Sequence, residues 1–156
     1  MDARLDYNDS KTLQKFVKHI NSAGAAVTSA LPPATANLVL TRASQINGCA
    51  VCLDMHTKDA EQAGETSLRL NLVAAWRDAK VFTDAERAAL EVTEQGTRVA
   101  DGAGGVTDEA WANAAKYYDS DQLAALVCTI AVINAYNRLN VISRNQGGDY
   151  QPGQWG

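Results

Sequence analysis

The sequence predicts an all-α fold, and three observations support this prediction. Apolar residues recur at spacings of three and four residues through most of the chain, which is the period of an amphipathic helix. Aromatic residues make up only 6% of a chain that is 46% hydrophobic, and this composition favours closely packed helices over sheets. No segment combines apolar–polar alternation with β-branched enrichment, as a strand would. We therefore expect a single-domain bundle of about six to seven helices.

The first two helices are indicated by an apolar stripe and by a proline pair. Residues 11–21 place four apolar side chains on one helical face: Leu13, Phe16, Val17 and Ile20. Residues 23–30 read as a connector that ends before Pro32 and Pro33. Proline suits the first turn of a helix, because backbone N–H groups there have no acceptor within the helix and the absence of one costs no hydrogen bond. The second helix is therefore expected over 33–47.

Glycine and capping residues bound the next helices. A third helix is expected from Gly48 to Gly64, because glycine readily occupies helix ends. A fourth helix is expected over 65–79 from its apolar face. Thr83 with Glu86 three residues later has the form of a capping box. This box predicts the start of a fifth helix.

The fifth helix is expected to run to about Val99, and the last two helices follow the Gly-rich loop from Gly102 to Gly105. Two acidic residues directly after Thr107 start a sixth helix, since acidic groups favour the positive end of the helix dipole. Ser120 is expected to cap a long helix over 121–143. Its predicted apolar face consists of Leu123, Leu126, Val127, Ile130 and Ile133. Cys128 lies in the same apolar run, so we expect it to pack in the core.

The length and charge of the chain indicate one domain and argue against some kinds of partner. Its 156 residues suit one domain, which we divide into an N-terminal helical extension (1–29), a core (30–143) and a loose, Gly-rich tail (144–156). The net charge is −4 and no basic block is present, which argues against nucleic-acid and membrane partners. No signal-peptide pattern opens the chain and its longest apolar stretch is short for a bilayer, so we expect a soluble, cytoplasmic protein.

The candidate residues for thiol chemistry lie in one short segment: Gly48-Cys49-Ala50-Val51-Cys52-Leu53-Asp54-Met55-His56. Two cysteines three residues apart on a helix can join after a small local adjustment. A helix start supplies free N–H groups and a positive dipole end, which both favour thiolate over thiol. His56, with a pKa near neutrality, lies one turn after Cys52 and its imidazole is aimed back at that sulfur. The spacing indicates Cys52 as the activated thiol, Cys49 as the resolving thiol and His56 as the acid–base group.

Two other interpretations of this run stay open. Free cysteine is among the most buried residue types, so the pair could be two small core residues. Two thiolates and an imidazole could also bind zinc, although structural zinc usually takes four ligands. Only Cys128, His19 or a carboxylate remains to complete such a site. His19 has no partner at motif spacing and is expected at the surface.

The residues around this run resemble a known family. The stretch from Arg42 to Ala60 looks like the signature of the carboxymuconolactone decarboxylase-like superfamily, in its alkylhydroperoxidase D branch. Further segments that resemble the family are 63–65, 76–77, 82–83, 86–90 and 133–139. The resemblance covers roughly residues 30 to 143.

The resemblance implies a function and an assembly. Members are all-helical homo-oligomers, commonly trimers or hexamers, and include thiol-dependent peroxidases. Carried over to this sequence, Cys52 attacks a hydroperoxide, Cys49 closes a disulfide and His56 belongs to a proton relay. An external dithiol would then restore the thiols, and no metal or organic cofactor is implied.

Two positions depart from the family pattern. Asn37 stands where the best-known members have a relay glutamate, twelve residues before the first cysteine, and Val51 stands where some members have histidine. Candidates to replace the relay acid are Glu86, Glu91 and Glu94. Alternative functions are a non-catalytic oligomer that senses oxidants or binds metal, and a lyase of the carboxymuconolactone decarboxylase type.

Overall fold

The structure, a computed structural model, describes residues 2–27, 29–102 and 104–154. In this part of the chain the secondary structure is helical and no strand is present. The seven α-helices are α1 (Lys11–Val27), α2 (Pro33–Asn47), α3 (Ala50–Gln62), α4 (Ser67–Leu72), α5 (Asp84–Thr97), α6 (Asp108–Ala114) and α7 (Ser120–Ser143). A 3₁₀ turn at Val73–Ala75 follows α4. The predicted all-α fold is confirmed.

Helix α2 lies at the centre of the bundle. It packs against α3, α5 and α7, while α1 lies on the outside against α7 and buries none of its own side chains. The largest core cluster joins α2, α5, α6 and α7. A second cluster, around Leu38, Trp76 and Leu90, fills the space between α2, α5 and the segment after α4. The bundle therefore holds the short helix α3 against α2 and α7, where the cysteines lie.

Several helix ends are set by the residues that the sequence indicates. Pro33 opens α2, and Gly48 ends it in a left-handed conformation at φ 66°, which glycine adopts without a Cβ clash. Thr83 and Glu86 form the predicted capping box at the start of α5. Thr107 caps α6 through its side chain.

Other helix bounds differ from the prediction. Helix α1 continues to Val27 through residues predicted as a connector, because this alanine-rich segment has high helix propensity. Helix α4 with its 3₁₀ turn ends at Ala75 rather than at residue 79. The cap of α7 is Asp119, which forms a capping box with Gln122, and Ser120 is already the first helical residue.

Helix α7 is apolar on most of its surface, so the sequence pattern does not identify which of its faces is buried. Val127 is 45% exposed and Cys128 is exposed, so the prediction that both face the core is wrong. By length and composition alone α7 could cross a membrane. In the fold it is a core helix, since it packs against α1, α2, α3 and α5.

The C-terminal segment after α7 lies against α3, although its composition predicts a loose tail. Asp54 of α3 accepts the backbone N–H groups of Gly148 and Tyr150, at 2.6 and 3.0 Å. The Tyr150 hydroxyl donates to Asp59, and its side chain is buried. Trp155 and Gly156 of the predicted tail lie outside the described residues.

Candidate functional site at the start of helix α3

The candidate site forms where α2 ends and α3 begins. After Gly48 the chain turns into Cys49, which is the N-cap of α3 rather than a residue of its first turn. The Cys49 Sγ accepts the backbone N–H of Cys52 at 3.4 Å. The two cysteines form a disulfide with their Cα atoms 5.4 Å apart. The spacing of three residues thus places both sulfurs together at the positive end of a helix.

Both cysteines are buried in the described fold. Cys49 is 1% exposed and Cys52 is 2% exposed, in a cluster with Ala43 of α2 and Ile133 of α7. An oxidant or a reductant therefore reaches the sulfurs only when this packing opens locally.

His56 lies four residues after Cys52, one turn further along α3. Its ring is half-buried and accepts or donates no hydrogen bond within the described residues. Burial lowers the pKa of His56 from 6.5 to about 4, and the negative charge of Asp59 offsets only part of this effect. With the disulfide closed, the imidazole is therefore neutral at pH 7, and the expected near-neutral pKa is not found.

Sequence reasoning missed one polar neighbour of the disulfide. The side-chain amide of Asn140, on α7, donates from Nδ2 to the Cys52 Sγ at 3.5 Å. This contact joins residues 88 positions apart, so no local motif indicates it.

Asn140 continues a row of asparagines on α7 that faces α2. Asn47 donates to the side-chain oxygens of Asn134 and Asn137, at 3.0 and 2.9 Å. Asn137, fully buried, donates in turn to Ser44 Oγ at 3.1 Å. The spacing of three residues between Asn134, Asn137 and Asn140 is the one signal in the sequence that could have located this face.

The carboxylates considered as replacements for a relay acid have other partners. Glu94 accepts hydrogen bonds from Arg42, Arg77 and the indole of Trp76. Although burial alone would raise the pKa of Glu94, these donors lower it below its usual value. Glu94 is therefore ionised at neutral pH.

The two other candidate acids are also paired. Glu86 accepts from Arg69 at 2.5 Å, and its pKa is lowered by that donor and by Thr83 despite the opposing effect of burial. Glu91 pairs with Arg77 at 2.6 Å. Each of the three glutamates thus has a cationic partner, and within the described residues none of them is hydrogen-bonded to Cys52 or His56. Asn37 is half-buried on α2.

The residues suggested for a zinc site are spread over the molecule. His19 is exposed on α1 and Cys128 is exposed on α7. Within residues 2–27, 29–102 and 104–154, no group of three or more His, Cys, Asp or Glu side chains is placed to hold a metal ion.

An open groove of about 480 Å³ runs between α5, α6 and α7. Its lining is mostly apolar and includes three side chains that are more than 40% exposed: Val99, Trp111 and Val127. Asn134 and Arg138 supply polar groups to the lining. Apolar side chains exposed along such a groove are typical of interaction surfaces.

This chain matches a protein-family model and a related bacterial protein. Residues 11–95 match the model of the carboxymuconolactone decarboxylase family. The uncharacterised protein YdfG of Bacillus subtilis is 37% identical over 118 residues, which are 76% of this chain and 79% of YdfG. The match to the family model includes α1 to α3 and with them both cysteines and His56.

Solved structures with the same fold were also found. One is a protein of unknown function from Agrobacterium tumefaciens, proposed to be the antioxidant defence protein AhpD. It is 30% identical, has a TM-score of 0.86, and the match covers 96% of this chain and all of that one. The debrominase Bmp8 in complex with 2,3,4-tribromopyrrole has a TM-score of 0.76 at 17% identity, with 91% and 74% of the two chains covered. At that identity the second likeness shows the fold alone.

Proposed function

Because the chain belongs to the carboxymuconolactone decarboxylase family, we propose that it is an enzyme of the peroxidase type, which reduces hydroperoxides through Cys49 and Cys52. The observation that carries this proposal is the disulfide at the N-terminal end of α3. A thiol pair that closes within one helical turn can cycle between two states with little movement of the backbone. The likeness to a proposed AhpD antioxidant protein at 30% identity gives further support.

The proposed reaction starts from the reduced pair. The Cys52 thiolate attacks one peroxide oxygen, so that an S–O bond forms, the O–O bond breaks and an alcohol leaves. The Cys49 thiol then attacks the sulfur of the Cys52 sulfenic acid, so that an S–S bond forms, the S–O bond breaks and the hydroxide leaves as water with the thiol proton. An external dithiol reduces the disulfide by exchange and is itself oxidised. Each cycle consumes one hydroperoxide and one dithiol.

His56 is proposed to move the protons of this cycle. In its neutral form the imidazole can accept the thiol proton of Cys52 and return it to the departing oxygen. Charge on the reduced site assists this step, since a thiolate nearby raises the pKa of an imidazole that burial has lowered.

Assembly and location complete the proposal. We expect a cytoplasmic homo-oligomer, a trimer or a hexamer, and the exposed apolar groove between α5, α6 and α7 supports an interface between copies. Light scattering of the purified protein measures the subunit number directly.

The proposal is tested by peroxide consumption with dithiothreitol as the dithiol. Wild type is expected to reduce an alkyl hydroperoxide catalytically, while Cys52→Ser loses the activity. The matched control is Cys128→Ser, since this cysteine is exposed and outside the disulfide, and it should keep the wild-type rate. Equal rates for wild type and Cys52→Ser would remove the proposal.

One observation favours a second candidate, a redox-responsive protein without turnover. Both cysteines are almost fully buried, and burial slows repeated reaction with oxidant and reductant. Such a protein would consume about one equivalent of peroxide per chain and then stop, even with excess dithiol. Continued consumption beyond a few equivalents separates the peroxidase from this sensor.

A further inference from the structure

The Cys52 sulfur lies in a cluster of buried hydrophobic side chains and accepts a hydrogen bond from one side-chain amide. Ala43 of α2 and Ile133 of α7 pack in this cluster. On α3 itself, His56 is the titratable side chain one turn away. The Asn140 amide, 3.5 Å from the sulfur, is the polar donor that α7 supplies to this cluster.

The orientation of the Asn140 amide is fixed by a second asparagine. Asn145 donates from Nδ2 to Asn140 Oδ1 at 2.9 Å. Because the oxygen end is occupied by this donor, the Nδ2 end of Asn140 is directed at the sulfur. Asn145 is itself held by its backbone N–H, which donates to the Asn140 carbonyl at 3.0 Å.

The backbone after α7 explains how Asn145 reaches this position. Arg144 adopts a left-handed conformation with φ 58°, which reverses the chain at the helix end. Asn145 is thereby folded back over the last turn of α7 instead of continuing away from it. The segment that follows is then anchored on Asp54 of α3.

We propose that Asn140 is a further catalytic residue, whose amide N–H stabilises the thiolate of Cys52, and that Asn145 is the positioning residue that holds this amide in its donating orientation. This inference rests on the proposed function in so far as Cys52 is the attacking thiol. An amide directed at an ionised sulfur favours the charged form, as any donor to an anion does. In a site closed to water, this donor replaces solvation that the thiolate loses on burial.

The test measures thiolate formation without peroxide. In the reduced Cys49→Ser chain, alkylation of Cys52 by iodoacetamide is followed against pH by mass spectrometry. Asn140→Leu removes the donor at similar volume. We expect the pH midpoint of Cys52 alkylation to rise by about one unit, which is a tenfold decrease in the acid dissociation constant of the thiol. Alkylation of the exposed Cys128 in the same samples is the internal control and should not change.

A second variant tests the positioning role and does not alter Asn140. Asn145→Asp offers only acceptor oxygens, so the Asn140 amide must turn its nitrogen toward residue 145 and its oxygen toward the sulfur. The alkylation midpoint of Cys52 should again rise by about one unit. Asn145→Leu removes the donor to Asn140 Oδ1 without adding charge and should also raise the midpoint, which separates the orientation of the amide from the charge of the aspartate.

Two results would overturn the inference. One is an unchanged Cys52 midpoint in Asn145→Asp with a native circular dichroism spectrum. The other is a shift in Asn145→Asp with none in Asn145→Leu, which would assign the effect to the added charge alone. If the midpoint shifts as expected while wild type consumes no peroxide, the thiolate assignment stands and the peroxidase proposal fails.

Discussion

Cys49 has two structural roles, as partner in the disulfide and as N-cap of α3. Its sulfur satisfies the N–H of Cys52, one of the helix donors that has no partner within the helix. Serine is a better N-cap than cysteine, because its hydroxyl oxygen is the stronger acceptor. A serine at this position therefore separates the chemical role from the capping role.

We expect Cys49→Ser to keep the fold and to stop turnover. Cys52 should still react once with a hydroperoxide, but its sulfenic acid then has no neighbouring thiol to close a disulfide. Trapping with dimedone and mass spectrometry would show the adduct on Cys52. Thermal unfolding of the reduced proteins should agree with wild type within about 1 kcal/mol. Turnover at the wild-type rate would assign the resolving role to another thiol.

His56 makes stability depend on pH in a defined window. The unfolded ring binds a proton below pH 6.5, while the folded ring stays neutral until about pH 4. The unfolded state thus gains protons first, and stability falls as pH decreases from 6.5 to 4. Since the ring is half-buried, the loss should not exceed about 3 kcal/mol.

Urea unfolding of the oxidised protein at pH 7.5 and pH 4.5 measures this loss. His56→Gln should remove most of the difference. Asp54 contributes below this window, because its pKa is lowered from 3.8 to about 2, whereas Glu86 and Glu94 begin to contribute at its lower end, because their pKa values are lowered from 4.5. The same pH dependence in wild type and His56→Gln would contradict the assignment.

At the scale of elements, α3 is held from two sides. It packs on α2 and α7, and its outer face binds Gly148 and Tyr150 of the segment after α7. Hydrogen bonds from Lys58, Tyr150 and Gly148 lower the pKa of Asp54, so the tail is attached to an ionised carboxylate. Through Asn145 and Asn140 this segment is also linked to the Cys52 sulfur.

Asp54→Asn should weaken the attachment of the tail. The variant replaces charge-assisted hydrogen bonds to Gly148 and Tyr150 with neutral ones, which are about half as strong. We expect trypsin to cleave after Arg144 roughly threefold to tenfold faster, because local opening costs less free energy. The reduction of the Cys49–Cys52 disulfide by dithiothreitol should accelerate in parallel.

The control for this prediction is Asp101→Asn, whose carboxylate is exposed in the loop after α5. It should leave both rates unchanged. If Asp54→Asn speeds cleavage but not reduction, the tail does not limit access to the disulfide.

For the molecule as a whole, the Glu94 cluster ties α2, α5 and the segment after the 3₁₀ turn together. Arg42 reaches Glu94 at 2.5 Å, and the Trp76 indole donates to the same carboxylate at 2.9 Å. Removing one partner from such a buried group leaves the opposite charge without compensation. This cluster therefore contributes to the stability with which α2 packs against α5.

Glu94→Gln is expected to lower the free energy of unfolding by about 3 kcal/mol. Glu109→Gln, exposed in the first turn of α6, should change it by less than about 0.5 kcal/mol. Urea unfolding measures both. At a temperature where Glu94→Gln is folded, its peroxidase rate should equal that of wild type, whereas a large loss of rate would restore Glu94 as a proton-relay acid.

Predictions from the sequence were most accurate where neighbouring residues determine the local backbone structure. The Thr83–Glu86 box depends on neighbouring residues and was predicted correctly, and Gly48 was expected at a helix boundary, although it ends α2 and does not begin α3. The exposure of Cys128 was not predicted, because α7 is apolar on most sides and the spacing of its apolar residues does not identify the buried face.

Contacts between residues far apart in the sequence explain the remaining differences between the predictions and the structure. Asn140 meets Cys52 only after the chain has folded, and its local sequence gives no sign of a sulfur nearby. The composition of the tail predicts looseness, yet Tyr150 buries its ring and finds a carboxylate on α3. An aromatic residue within a Gly-rich segment was the available signal for this docking.

The disulfide joins residues with a sequence separation of only 3, and this has a consequence for the folding of the chain. A crosslink stabilises a protein chiefly by reducing the conformational entropy of its denatured ensemble, and this effect grows with the loop that is closed. For so short a loop it amounts to about 2 kcal/mol, against about 4.7 kcal/mol for a loop of 100 residues. Reduction of this bond therefore costs the native state less than half of the stability that opening a crosslink over 100 residues would cost.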